Sequence, residues 1–170
     1  KNSYLIDDLS KLIVRLDMKS GKIITQINLA GRTSTLVELE KIWKRDFKRD
    51  FDSEVSNASF RFHWLLEEII KNEYSSEAFK FIQIINNWYS LDESDLHSDA
   101  FQPYNVSERI CNISTFILLM FKSKLISKSD LEFYQDAILK DLNRLNSTLE
   151  YPASGKINNH ILNNARALIM

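Results

Sequence analysis

The sequence predicts an all-α fold in which pairs of helices follow one another along the chain as an array of α-hairpins. Apolar residues recur at helical spacing in about seven segments of roughly 10 to 20 residues each. Only 3 of the 170 residues are glycine and 2 are proline, which is few for a loop-rich or all-β fold. No repeat of fixed length is present, but helix pairs recur roughly every 40 residues, as in α-hairpin arrays.

The composition is that of a globular domain and excludes several classes of partner. With 170 residues, of which 44% are hydrophobic, the chain is long enough to bury a sizeable core. Its net charge of −1 provides no overall field that would attract nucleic acid or an anionic membrane. No stretch reaches the roughly 18 apolar residues of a membrane span. Cys111 is the one cysteine, and its apolar helical surroundings predict a buried thiol.

The N-terminal part of the chain contains two predicted helices and an ambiguous segment between them. Residues 3 to 18 carry an apolar stripe at helical spacing. Residues 23 to 29 form a short apolar run that fits either an extended segment or one turn of helix. Thr33 or Ser34 is then expected to cap a helix that reaches about Phe47.

The middle of the chain is predicted to form two further helices and the longest loop. Residues 58 to 72 and residues 76 to 89 each carry an apolar face at helical spacing. The three tryptophans fall on such faces and are expected in the core: Trp43, Trp64 and Trp88. Residues 90 to 104 form a loop with several carboxylates and a histidine, but their spacing fits neither a zinc site nor a calcium loop. No metal or other cofactor is therefore expected.

Two long helices follow this loop, and a capping box is predicted at the start of each one. The motif Asn105-Val-Ser-Glu108 is expected to open a helix that ends near residue 124. The motif Ser129-Asp-Leu-Glu132 is expected to open a helix that ends near residue 148. In the first of these helices, Arg109 and Asn112 share a face at i, i+3 spacing. That pair indicates either a polar binding site or an internal hydrogen-bond anchor.

The last predicted helix carries both an apolar and a polar stripe. Asn158 or Asn159 is a suitable N-cap, which puts His160 in the first turn, where unpaired N–H groups and the helix dipole favour an anion. The apolar positions, which are expected to form the buried arc, are Ile161, Leu162, Ala165 and Leu168. The polar positions, which would then line a cleft for a carboxylate or face water, are Asn159, His160, Asn163 and Arg166.

Three segments of the sequence resemble motifs of one enzyme family. Residues 159 to 168 read NHILNNARAL and resemble the signature NH-L-x-N-A-x-A-L of the heparinase II/III-like polysaccharide lyases. Residues 101 to 112 read FQPYNVSERICN and are similar to that family's segment W-x-P-Y-x-x-S-x-R-x-x-N. Residues 61 to 65 read RFHWL and resemble its L-H-Y-F-x-x-L helix. The motifs occur in the family's order and cover about residues 43 to 170, whereas residues 1 to 42 carry no match.

The resemblance implies a more specific fold than periodicity alone. Residues 1 to 170 are expected to be the first part of an (α/α) toroid, which in this family is followed by a β-sandwich domain of the same chain. The sequence ends inside an apolar helical pattern without a C-cap, so the native protein is expected to continue. A periplasmic or secreted location is also implied by the resemblance.

Enzymes of this family cleave uronic-acid-containing polysaccharides by β-elimination, so the resemblance implies an acidic polysaccharide as partner. The hard step is removal of the proton next to a carboxylate, and hydrogen-bond donors on that carboxylate stabilise the resulting enediolate. The resemblance gives this role to Asn159 and His160. Other polar residues of the motifs are candidates for substrate binding: Asn158, Asn163, Arg166, Tyr104 and Arg109.

Two positions depart from the family pattern and leave the activity open. Asn158 stands where many relatives have glycine, and Asn163 stands where many have a glutamate. The family's proton-transferring tyrosine and a further histidine would fall after Met170, so this segment alone is expected to be inactive as a lyase. The alternative is a non-catalytic helical module that binds carbohydrate or a protein partner through the same groove.

Overall fold

The fold is described for residues 26–45, 53–72, 78–149 and 159–170 of a computed structural model. Within these residues the chain is mostly helical, which confirms the predicted all-α class, and one small sheet is present in addition. The elements are β1 (Gln26–Leu29), β2 (Arg32–Thr35), α1 (Leu36–Trp43), α2 (Ser53–Arg61), α3 (His63–Asn72), α4 (Ala78–Ser90), α5 (Pro103–Lys122), α6 (Lys128–Ser147) and α7 (Asn159–Ile169). The helix predicted over residues 3 to 18 lies outside the described residues.

Strands β1 and β2 form an antiparallel hairpin, so the ambiguous apolar run is extended where the structure describes it. Ile27 pairs with Ser34 in the register of this hairpin. Ala30 and Gly31 form the turn with φ values of 50° and 86°, and positive φ at both positions matches the twist of a two-residue hairpin. Ile27 and Leu29 alternate inward and are buried.

Helix α1 begins slightly later than predicted because the hairpin uses the expected capping residues in its ladder. Thr35 is the N-cap, and its Oγ1 accepts from the amide of Glu38 at 3.2 Å. The carboxylate of Glu38 accepts in return from the amide of Thr35 at 2.7 Å. This capping box satisfies two of the amide groups that the first turn of a helix leaves without partners. Thr33 and Ser34 lie in β2 instead.

The continuous helix predicted over residues 58 to 72 is wrong, because the chain breaks at Phe62 into α2 and α3. Phe62 has a φ of 58°, in the left-handed region that residues other than glycine seldom adopt. Its ring is fully buried and lies 5.5 Å from the ring of Trp43 and 5.6 Å from that of Trp64. Aromatic packing in the core therefore stabilises a backbone conformation that is locally unfavourable.

Helix α5 is the central element of the described fold. It contacts α2, α3, α6 and α7. The three tryptophans lie in the core as predicted, with exposed fractions of 0%, 0% and 4% for Trp43, Trp64 and Trp88. Cys111 of α5 is also buried as predicted, and burial raises the pKa of its thiol.

The long polar loop before α5 is fastened to the end of α1. It contains two short 3₁₀ turns, Glu93–Asp95 and Ser98–Phe101. Leu96 forms an isolated antiparallel bridge with Lys44, and the amide of His97 donates to the carbonyl oxygen of Trp43 at 2.9 Å. These contacts determine where the chain enters α5.

The predicted capping boxes of α5 and α6 are both wrong in position. Helix α5 begins at Pro103, where a proline is favoured in the first turn, so Asn105 lies inside the helix. Ser127 is the N-cap of α6, since its Oγ accepts from the amide of Asp130 at 3.2 Å. The carboxylate of Asp130 accepts from the amide of Ser127 at 2.8 Å. This capping box lies two residues before the predicted one.

Candidate functional site

The three segments that resemble family motifs meet where α5 and α7 begin and α2 ends. Tyr104 lies in the first turn of α5, His160 lies in the first turn of α7, and Arg61 is the last residue of α2. These three residues are called the Tyr104 cluster below. His160 is exposed, and Tyr104 and Arg61 are half-buried, so the cluster lies at the protein surface.

Tyr104 is the centre of this cluster. Its ring lies 4.7 Å from the imidazole ring of His160, and the two planes are inclined by 36°. The guanidinium carbon of Arg61 lies 4.8 Å from the centre of the Tyr104 ring, which is a favourable cation–π distance. One ring therefore connects a residue from each of the three motif segments.

Hydrogen bonds hold Arg61 in place beside Tyr104. Its Nε donates to Oδ1 of Asn105 at 2.8 Å, and its Nη1 donates to Oε2 of Glu54 at 3.3 Å. Asn105 is itself held, because its Nδ2 donates to Oδ1 of Asn57 at 2.9 Å and to the carbonyl oxygen of Asp99 at 2.8 Å. Asn105 thus positions Arg61, and this explains its burial inside α5 better than the capping role predicted for it.

Helix α7 packs on α5 through the buried Ala167 and through several polar side chains. Nδ2 of Asn163 donates to Oγ of Ser107 at 3.1 Å, and Nη2 of Arg166 donates to Oε1 of Glu108 at 2.9 Å. Asn164, with its amide nitrogen turned towards α5, donates to Oγ of Ser107 at 3.1 Å. Asn163 and Asn164 are both buried, and these bonds supply the partners that buried amides need.

The buried face of α7 therefore differs from the face predicted from its apolar residues. The predicted buried arc consisted of Ile161, Leu162, Ala165 and Leu168. Of these, Leu162 and Leu168 are 60% and 42% exposed, whereas Asn163 and Asn164 are only 9% and 4% exposed. The prediction is wrong because α5 offers hydrogen-bond partners such as Ser107 at this contact, so the amide side of α7 is the side that packs.

The predicted polar stripe is divided between the surface and the helix contact. Asn159 and His160 are exposed at the start of α7, Asn163 is buried, and Arg166 is paired with Glu108. An open depression of about 360 Å³ is lined by Tyr104, Asn159, Leu162, Asn163 and Arg166. Four of the predicted site residues thus border one depression. Asn158, which was also predicted to bind substrate, lies outside the described residues.

Arg109 does not border this depression and is an internal anchor, which is one of the two roles predicted for it. Its side chain is 1% exposed. Its Nε and Nη2 donate to the two carboxylate oxygens of Asp141 at 2.9 and 2.7 Å, and its Nη1 donates to the carbonyl oxygen of Ala100 at 2.9 Å. Burial disfavours the charge, but the Asp141 carboxylate together with Tyr89 and Glu93 outweighs burial, so the pKa of Arg109 is raised. The substrate-binding role predicted for Arg109 is corrected accordingly, because its donors are used inside the protein.

Sequence reasoning missed three residues of the site, namely Arg61, Glu54 and Glu108. Arg61 and Glu54 are both in α2 at i, i+7 spacing, which brings them to the same side of a helix and was a readable signal. Glu108 belongs to a different helix from its partner Arg166, so no local pattern indicates their pairing.

Two further classes of site are not found in the part of the chain that the structure describes. No group of three or more histidine, cysteine, aspartate or glutamate side chains there is arranged to hold a metal ion. No helix there combines the length and apolar character that crossing a membrane requires.

Comparisons of the chain with known protein families, with curated proteins and with solved structures found no match.

Proposed function

We propose that residues 1 to 170 are the N-terminal helical part, an incomplete (α/α) toroid, of a heparinase II/III-like lyase that cleaves a uronic-acid-containing polysaccharide by β-elimination. The contact between Tyr104 and His160 carries this proposal, because the two residues belong to different motifs. Arg61, from the third motif, contacts the same Tyr104 ring. The meeting of the three segments at one ring supports the proposal.

In this proposal Asn159 and His160 bind the carboxylate of the substrate. Both side chains are exposed in the first turn of α7, at the end of the helix where the helix dipole favours an anion. Hydrogen bonds to the carboxylate stabilise the negative charge that develops when the neighbouring C5 proton is removed. By the resemblance, a tyrosine further along the native chain protonates the leaving oxygen.

Tyr104 acts in this proposal as a positioning residue. Its ring lies against the imidazole of His160 at 4.7 Å and restricts how that ring can turn. Arg61 supports Tyr104 from α2 and is held by Asn105. A histidine that is held in one orientation loses less freedom when it binds a substrate carboxylate.

The test measures turnover by the native gene product on a panel of uronic-acid polymers. The absorbance of the unsaturated uronate that β-elimination forms reports this turnover. His160→Ala and Asn159→Ala are each expected to lower turnover by about 100-fold, the scale of one lost transition-state hydrogen bond. Their melting temperatures should fall by no more than a few degrees, because both side chains are exposed and the contact of His160 with Tyr104 contributes only about 1 kcal/mol. Residues 1 to 170 alone are expected to show no turnover.

The matched control is Asn146→Ala, which removes an exposed amide from the end of α6. This variant is expected to keep full turnover. Full activity in both His160→Ala and Asn159→Ala would end the lyase assignment of these residues. Loss of activity together with a large fall in melting temperature would instead assign them to the stability of the helix start.

One observation favours a second candidate function, a non-catalytic helical module that binds carbohydrate or a protein partner. Asn163 stands at the family's glutamate position, yet it is 9% exposed and its amide donates to Ser107. This residue therefore serves the contact between α7 and α5. If the second function holds, the native protein binds a uronic-acid polymer or a protein partner, His160→Ala weakens that binding, and no unsaturated product forms.

A further inference from the structure

We propose that the depression beside Tyr104 accepts a glycan that carries carboxylates but no sulfate groups. This inference rests on the proposed function, because it names the substrate class of the same site. It follows from the charges around the depression and from the apolar surface inside it.

Both arginines of the site are already paired with carboxylates. Nη1 of Arg61 lies 3.3 Å from Oε2 of Glu54, and Nη2 of Arg166 lies 2.9 Å from Oε1 of Glu108. The formal charges of these two pairs cancel. Among the described residues around the depression, the site therefore offers no surplus of fixed positive charge apart from what a protonated His160 would add.

A sulfated glycan would bring permanent negative charges into this balanced environment. An anion gives up its hydration favourably only when cations or several hydrogen-bond donors replace the water. The Glu54 side chain is 61% exposed, so its carboxylate would repel a nearby sulfate at the edge of the Tyr104 cluster. A single carboxylate needs less compensation, and the exposed groups of Asn159 and His160 can donate hydrogen bonds to it.

The uncharged part of the depression matches the face of a sugar ring. Leu162 is 60% exposed and lines the depression together with Tyr104. An exposed leucine beside an aromatic residue provides an apolar surface for the C–H groups of a pyranose. The neighbouring amide of Asn159 can bond to sugar hydroxyls. This combination favours a ring with few charged substituents.

The experiment compares the binding of three polymers to the native gene product at physiological salt. The polymers are an unsulfated uronic-acid polymer, the same polymer after chemical sulfation, and a neutral glucan. We expect the unsulfated polymer to bind at least about tenfold more tightly than its sulfated derivative, because like charges across an interface are strongly unfavourable. The neutral glucan should bind more weakly than the unsulfated uronic-acid polymer.

A charge variant tests the cause of this preference. Glu54→Gln leaves the charge of Arg61 without this carboxylate and is expected to raise the affinity for the sulfated polymer by about threefold, as for one exposed charge. The matched control is Glu67→Gln, which removes an exposed carboxylate that pairs with His63 in α3. This control is expected to leave the ratio of the two affinities unchanged.

The outcomes separate this inference from the proposed function. If the sulfated polymer binds as tightly as the unsulfated one, or if both glutamate variants act equally, the inference is overturned. The proposed function survives that result as long as unsaturated product forms from either polymer. If no uronic-acid polymer is bound or cleaved, the proposed function is contradicted, and the inference is contradicted with it.

Discussion

The ring of Tyr104 in α5 and the imidazole ring of His160 in α7 lie 4.7 Å apart, with their planes inclined by 36°. This contact connects the first turns of two helices that also associate through polar side chains such as Asn163 and Ser107 and through the buried Ala167. Ring pairs at such distances contribute roughly 0.5–1.5 kcal/mol beyond the area that they bury. The contact is therefore expected to be measurable as a stabilising interaction.

A double-mutant cycle with Tyr104→Leu and His160→Ala is expected to give a coupling of about 1 kcal/mol in the free energy of unfolding, because the two rings contact each other directly. Urea denaturation of the four proteins measures it. A control cycle that pairs Tyr104→Leu with Asn146→Ala should give no coupling, since Asn146 is an exposed residue of α6. Additive effects of the Tyr104 and His160 substitutions would contradict the contact.

The ion pair between Arg109 and Asp141 predicts a large loss of stability when its carboxylate is removed. Asp141→Asn nearly keeps the size of the side chain but leaves a guanidinium that is 1% exposed without its counter-charge. The free energy of unfolding is expected to fall by about 3–5 kcal/mol, as when one partner of a buried pair is removed. Denaturant unfolding measures this change.

The control for this experiment is Asp136→Asn, an exposed carboxylate in the same helix α6. Its effect should stay within about 0.5 kcal/mol, as at most surface positions. Equal effects of the two substitutions would show that Arg109 does not depend on Asp141.

Substitution of two neighbouring serines tests the position of the N-cap of α6. Ser127→Ala is expected to lower the free energy of unfolding by about 1 kcal/mol, because it removes the acceptor of the Asp130 amide. Ser129→Ala should cost less, since the hydroxyl of Ser129 bonds to Oγ of Ser127 and not to the helix amides. Thermal or urea unfolding of both variants decides between the two caps, and a larger effect of Ser129→Ala would contradict the observed capping box.

The same capping box predicts an acid-dependent contribution to stability. The side chain and the amide of Ser127 both donate to Asp130 and hold the pKa of its carboxyl below the ordinary value of 3.8. The folded state therefore binds fewer protons than the unfolded state near that pH, so this contribution is present at neutral pH and is lost as the pH falls through the folded pKa. Urea unfolding between pH 2 and 5 is expected to show a smaller acid dependence in Ser127→Ala than in the unsubstituted protein.

The raised pKa values of two tyrosines predict that the protein loses stability at alkaline pH. Burial and the charge of Asp141, to which Tyr89 donates at 3.3 Å, raise the pKa of Tyr89 well above the ordinary value of 10.0. Burial also raises the pKa of Tyr134 to about 12. In the unfolded chain both groups lose their protons near pH 10, whereas in the folded protein they retain them, so the free energy of unfolding falls as the pH rises above 10.

Urea unfolding from pH 9 to pH 12, together with the tyrosinate absorbance of the folded protein, checks this behaviour. Tyr89→Phe is expected to make the decline in stability above pH 10 shallower, because one of the two groups with a raised pKa is removed. If all tyrosines of the folded protein ionised near pH 10, the environments described for Tyr89 and Tyr134 would be wrong.

Much of the fold was predictable because helix formation leaves a local pattern in the sequence. The segment predicted over residues 76 to 89 is observed as Ala78–Ser90. The burial of Trp43 was also predictable, since the apolar face of a helix packs against the core and buries its large side chains. The break between α2 and α3 at Phe62 could not be predicted from the local spacing of apolar residues. This break depends on the rings of Trp43 and Trp64, which local spacing does not reveal.

The candidate site was predictable only in part. The motifs pointed to Tyr104, Asn159 and His160. Tyr104 and Asn159 line one depression, and His160 lies beside it against the ring of Tyr104. Arg109 carried the same kind of signal but is a buried anchor, because a carboxylate from α6 occupies its donors. A sequence pattern records that an arginine lies on an apolar helix, but it does not record which partner reaches it.

Helix α7 shows this division most clearly. The sequence by itself determined that residues 159 to 169 form a helix with an apolar side and an amide-rich side, because spacing along a helix is a local property. Only the tertiary structure decided which side is buried. Asn163 and Asn164 pack against α5 because Ser107 supplies an acceptor there, whereas Leu162 remains exposed. The free energy of burying an amide depends on whether a partner is present, and that partner lies in another helix, far away along the chain.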